Sequence, residues 1–153
     1  MDRYADSRYT GSKKYIENEP HDFTELQEII GILRKKCPWD STQTLESLKP
    51  CLAGETEEVL AAVDARDSAN LCEELGDVLL HVLLMSEIAE ESGSFTFEDV
   101  VQTLSDKMIR RHPFVFGDRE IHSMEEGKAL WKEIKAREKQ HAGNPGSASP
   151  KGD

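Results

Sequence analysis

The chain has 153 residues, enough for one domain with tails, and a net charge of −11 from 30 acidic and 19 basic residues. That balance excludes a general nucleic-acid binder, which needs a basic face. The longest apolar stretch, residues 78–85, is interrupted by His81 and falls far short of the roughly 20 residues of a membrane helix.

The ends read as tails. Residues 1–21 carry four acidic and four basic residues without apolar periodicity, and contain no apolar core of a signal peptide. Residues 141–153, HAGNPGSASPKGD, are a Gly/Pro/Ser mixture too poor in apolar surface to order itself. The expected organisation is therefore a flexible tail (1–21), a helical domain (22–140) and a disordered tail (141–153). Cys37, Cys51 and Cys72 form no CxxC pair and cannot all pair with one another, which points to a reducing, cytoplasmic compartment.

Between the tails the apolar spacing is helical. Asp22 and Glu25 form a capping-box pattern ahead of Leu26, Ile29, Ile30 and Leu33. The basic run Arg34-Lys35-Lys36 suits the helix C-terminus, and Pro38 predicts a break. A second helix is predicted from about residues 44–47 to Ala65, with irregularity expected near Pro50 and Gly54. A polar joint at 66–68 leads to a third, from about Ala69 to Glu91, stopped at Gly93. Its stripe of Leu71, Leu75, Val78, Leu79, Val82 and Leu83, widened by Leu84, Met85 and Ile88, predicts a central helix or one shared with a second subunit. Thr96 with Asp99 caps a fourth helix ending before Pro113, and Ser123 with Glu126 caps a last one through Leu130, Trp131 and Ile134. No segment alternates with period two. The predicted class is all-α with antiparallel neighbours.

Two acidic pairs stand out. Glu55 and Glu58, and Glu74 and Asp77, each lie three residues apart, hence near one face of a helix. If helices two and three form a hairpin about the 66–68 joint, the pairs lie at similar distances from the turn and face each other. Spacing leaves two readings open: solvated surface acids, or oxygen ligands of a divalent cation. Acids within the most apolar helix need a partner, and an all-oxygen set favours Mg2+ or Mn2+ over Zn2+. A basic group, Lys107, Arg110, Arg111 and His112, ends helix four; it suits either the helix dipole or a polyphosphate. Trp131 and Lys135, four residues apart, could stack a base and hold a phosphate, or be a core ring beside a surface lysine. His81 reads as a core histidine with its hydrogen bond satisfied, and Cys72 as a small buried hydrophobe.

Taken together, Cys37-Pro38-Trp39-Asp40, Gln43-Thr44, Ser47-Leu48, Glu55-x-x-Glu58, Glu73-Glu74-Leu75-Gly76-Asp77 and Lys107-Met108-Ile109-Arg110-Arg111-His112-Pro113 followed by Val115-Phe116 resemble the MazG nucleoside triphosphate pyrophosphohydrolases. The resemblance runs from about Leu26 to Lys135. It implies a four-helix core of the dimeric dUTPase-like type completed by oligomerisation, as a homodimer or dimer of dimers. It implies Mg2+-dependent hydrolysis of a nucleoside triphosphate to monophosphate and pyrophosphate, with Mn2+ as a substitute and non-standard nucleotides among the substrates. The family's metal ligands, which are also its catalytic carboxylates, fall on Glu55, Glu58, Glu74 and Asp77. Its nucleotide-contacting positions fall on Lys107, Arg111, Trp131 and Lys135. The sequence departs from the pattern at Gly54, where a further acid is usual, and at Leu45 and Phe114, where histidine is usual. Two rival expectations follow: a helical interaction module that no longer hydrolyses nucleotides, and a pyrophosphohydrolase for another nucleotide such as phosphoribosyl-ATP.

Overall fold

Helix boundaries in this chain are set by local capping chemistry. In a computed structural model, which describes residues 15–142, Asp22 accepts from the Glu25 amide while the Glu25 side chain accepts from the Asp22 amide, opening α1 (Phe23–Lys36). A single 3-10 turn follows at Asp40–Thr42. Thr44 and Ser47 make a second reciprocal cap for α2 (Leu45–Ala65), which runs unbroken through Pro50 and Gly54. The irregularity expected there does not occur. Proline has a helix-compatible φ and forfeits one backbone bond near the N-terminus, while Gly54 costs only propensity.

Arg66, in the left-handed conformation at φ 54°, closes α2 with its amide on the Ala62 and Val63 carbonyls. Asp67 then caps α3 (Ser68–Glu91) through the Ala69 and Asn70 amides. The reversal takes two residues, so α2 and α3 form a tight antiparallel hairpin. Gly93, at φ 71°, ends α3 as its position predicts. Three further helices follow: α4 (Phe97–Arg111), the four-residue α5 (Pro113–Phe116) and α6 (Met124–Ala142). Both α5 and the 3-10 turn are too short to leave a periodic signal. The expected tails lie outside the described residues, apart from 15–21 and 141–142.

The chain divides into two compact units, the first through Phe97 and the second from Glu98. The core of the first is Ile30, Leu48, Leu83 and Leu84, with Leu26, Leu79, Leu80, Met85, Ile88 and Phe97 packed around it. It gathers at the open end of the hairpin, where α1 also packs on α3. The end near the 66–67 turn is thinly covered. Leu60, Val63 and Leu75 are half exposed or more, and Cys72 is exposed rather than buried. The apolar stripe of α3 is thus buried along its C-terminal half only, because α1 does not extend over the first turns. His81 is buried as expected, its Nδ1 on the Asp77 carbonyl at 2.8 Å. The class is all-α, and among the described residues no helix is long and apolar enough to cross a membrane.

Candidate metal centre and nucleotide-binding residues

The α2–α3 hairpin brings acids from its two arms together between the core and the turn. Glu55, Glu74 and Asp77 each offer a carboxylate oxygen within 4.8 Å of the others, and all three are half-buried. Glu74 feels the crowding most. Its carboxyl is pushed above the usual range, first by burial and then by the charges of Glu58, Asp77, Glu55 and Glu73. Glu58 is therefore near Glu74 but, being exposed, does not join the close set. Three of the four acids singled out from spacing converge, and the fourth stands beside them.

The donor set is oxygen alone, without His or Cys. Such a set fits a hard divalent cation, which would relieve the repulsion that raises Glu74. At Gly54 an added Cβ meets nothing within 4 Å, so a side chain in place of the missing acid would not be excluded by packing.

In the second unit, α4 and α6 bring a different group together. Lys135 Nζ lies 4.9 Å and the Arg111 guanidinium carbon 5.3 Å from the Trp131 ring centroid. Glu138, not anticipated from the sequence, binds both arginines. It accepts from Arg111 Nε and Nη2 at 3.0 and 2.6 Å and from Arg110 Nε at 2.7 Å. These bonds, Arg111's first, hold its carboxyl down to about 2 although burial opposes them. The signal was present: Trp131, Lys135 and Glu138 follow at i, i+4 and i+7, one face of a helix. Lys107, half-buried on α4, makes no ion pair among the described residues.

The pattern of the MazG nucleotide pyrophosphohydrolase domain matches residues 43–116. The crystal structure of a mazG-related protein from Thermotoga maritima superposes with a TM-score of 0.65 at 39% identity, covering 74% of this chain and 98% of that one. The chain belongs to the MazG family. Its curated relatives include the T. maritima nucleoside triphosphate pyrophosphohydrolase/pyrophosphatase MazG, 49% identical over 119 residues, 76% of this chain and 45% of that protein. Another is the Escherichia coli (strain K12) nucleoside triphosphate pyrophosphohydrolase, 42% identical over 103 residues, 67% of this chain and 39% of that protein. The chain thus spans less than half the length of these MazG relatives.

Proposed function

We propose that this MazG chain hydrolyses a nucleoside triphosphate to the monophosphate and pyrophosphate, with residues 22–140 forming the working domain. The observation that carries this reading is the convergence of Glu55, Glu74 and Asp77, with Glu58 alongside. These four would hold Mg2+, or Mn2+ in its place. The bound ion would supply charge neutralisation on the phosphates and activation of water.

The chain's own residues would do the rest. Water attacks the α-phosphorus, the bond to the bridging oxygen of the β-phosphate breaks, and pyrophosphate leaves. One of the four carboxylates, or Glu57 next to them in sequence, takes the water's proton. Lys107 and Arg111 offset charge on the phosphates. Trp131 and Lys135 place the nucleotide. The half-exposed apolar side chains Leu60, Val63 and Leu75 support a homodimer, or a dimer of dimers, in which a second copy covers them. All three cysteines are free, which supports a cytoplasmic setting.

Gly54 supports one alternative, a MazG fold that binds without turnover. Ion-exchange analysis after incubation with ordinary and modified nucleoside triphosphates, in Mg2+ or EDTA, separates the two. Monophosphate plus pyrophosphate in Mg2+ alone is the expected result. Diphosphate plus phosphate would refute the assigned bond, and no product from a folded, Mg2+-binding sample would select the alternative.

A further inference from the structure

Two like charges share one aromatic ring on α6. Lys135 Nζ and the Arg111 guanidinium carbon both lie over Trp131, and the exposed Lys128 and Lys132 line the hollow that the ring borders. Arg110 adds a further cation beside Arg111. Cations gathered this closely repel one another unless a counter-charge joins them. Among the described residues the one carboxylate bonded to this group is that of Glu138.

The bonds divide the Arg111 fork into a held end and an open end. Nε and Nη2 both donate to Oε2 of Glu138, while Oε1 accepts from Arg110 Nε. Two donors on one oxygen fix the direction of a planar guanidinium. Nη1 has no partner among the described residues, and no buried side-chain nitrogen or oxygen there lacks one, so Nη1 faces solvent. Arg111 is also the last residue of α4, and helix ends fray. A carboxylate from α6 therefore supplies a rigidity that α4 alone does not give this side chain.

We propose that Glu138 is a positioning residue for nucleotide binding, holding Arg111 over Trp131 with Nη1 turned outward for a phosphate oxygen. The inference rests on the nucleotide hydrolysis proposed above and adds a residue that acts through Arg111. Two effects of Glu138 oppose each other. Its charge repels a phosphate, so repulsion alone predicts tighter anion binding once the charge is removed. Its bonds orient the fork in advance, so their loss predicts weaker binding, because a loose arginine must be ordered by the ligand. The Arg111 and Glu138 side chains are 15% and 20% exposed. Water competes little for bonds so covered, and orientation outweighs repulsion.

The probe is inorganic pyrophosphate in EDTA, titrated calorimetrically into the full chain and into Glu138→Gln, Arg111→Lys and the double variant, with ellipticity reporting folding. Glu138→Gln should weaken binding about tenfold, as loss of a group that orients a binding residue does. Arg111→Lys should cost a similar factor, and the double variant little more than either, since both act through one guanidinium. No binding to the unsubstituted chain, unchanged or tighter binding in Glu138→Gln, or losses that multiply to roughly 100-fold in the double variant would each overturn the proposal. Glu138→Asp keeps the charge but shortens the reach, and decides the matter if Glu138→Gln does not fold: weaker binding is expected, and unaltered affinity would overturn the role. In Mg2+ with a nucleoside triphosphate, Glu138→Gln should raise KM more than it lowers kcat. Weakened, non-multiplying pyrophosphate binding without turnover would keep Glu138 as a positioning residue and remove the hydrolytic reading. Turnover with KM unchanged in Glu138→Gln would do the reverse.

Discussion

Arg34 is one-tenth exposed, and its hydrogen bonds divide into two classes. Nε and Nη2 donate to the Glu91 carboxylate at 2.8 and 2.7 Å, and Nη1 donates to the Asp40 and Gln43 carbonyls at 2.7 and 2.9 Å. The shared bonds raise Arg34 and lower Glu91 from their ordinary values. Glu91 is half exposed, and an ion pair so open to water contributes only about 0.2–1 kcal/mol. The carbonyl bonds belong to a part-buried donor pinning the turn that carries Trp39, and are worth about 1 kcal/mol each. Arg34→Met keeps the apolar stem and removes every donor, so the expected loss is about 2–3 kcal/mol. Glu91→Gln should cost below about 1 kcal/mol. Urea unfolding followed by ellipticity, with Trp39 fluorescence in a Trp131→Phe background reporting the turn, measures both. If Glu91→Gln proves as costly as Arg34→Met, the ion pair and not the carbonyl clamp holds the turn, and the reasoning fails.

Glu74→Gln and Asp77→Asn should each lower Mg2+-dependent pyrophosphate release by at least about 100-fold with helicity unchanged; full activity in either would sink the metal assignment. Gly54→Ala enters open space on a helix and should stabilise the protein by about 0.5–1 kcal/mol, read as a higher Tm; no rise would mean that position is not helical in solution. Glu138 sits at about 2 in the folded protein against 4.5 for an ordinary glutamate. Its lowered value contributes stability above about pH 4.5 that is lost as the pH falls through that range toward 2. Glu138→Gln should flatten the acid limb of the unfolding midpoint in that window, and an unaltered limb would show that the bonds to Arg110 and Arg111 do not persist.

Capping was the most legible part of the sequence because it is short-range chemistry. Asp22 with Glu25 needs only three residues for mutual satisfaction, and the structure contains that reciprocal cap; at the start of α6 the Glu126 amide donates to the Ser123 hydroxyl as expected, while the reciprocal Thr44–Ser47 cap was not anticipated. Burial was less legible. Cys72 and Leu75 lie on an apolar helix, but whether they are covered depends on how far α1 reaches, which no local pattern encodes. The acidic group lay between these cases. Pairs at i, i+3 on either side of a two-residue turn predict convergence, yet three residues of helix also rotate a side chain by about 60° away from its mate. Glu74 and Asp77 carry the same offset and both join the close set, whereas of Glu55 and Glu58 only Glu55 does, so spacing by itself does not decide which acid is left out. Glu138 was missed because the basic cluster was read along α4 alone, whereas its counter-charge comes from α6.

The division of charge gives these two groups different requirements. Residues 1–97 carry the whole net charge of −11, and residues 98–153 hold ten acidic and ten basic side chains. A triphosphate approaching Glu55, Glu74 and Asp77 meets like charge, so association there demands a cation. Around Trp131 it meets Lys135, Lys128 and Lys132 in a neutral unit, where no metal is needed to offset the field. Nucleotide affinity should therefore separate into a part lost in EDTA and a part that survives it. Because Lys128 and Lys132 are exposed and Lys135 is half-buried, the surviving part should weaken as salt shortens the screening length from about 30 Å at 0.01 M to about 8 Å at 0.15 M. Titration of a nucleoside monophosphate in EDTA at those two salt concentrations measures it directly. Affinity indifferent to salt would place the anion's partners among buried groups instead, and would remove Lys128 and Lys132 from the site.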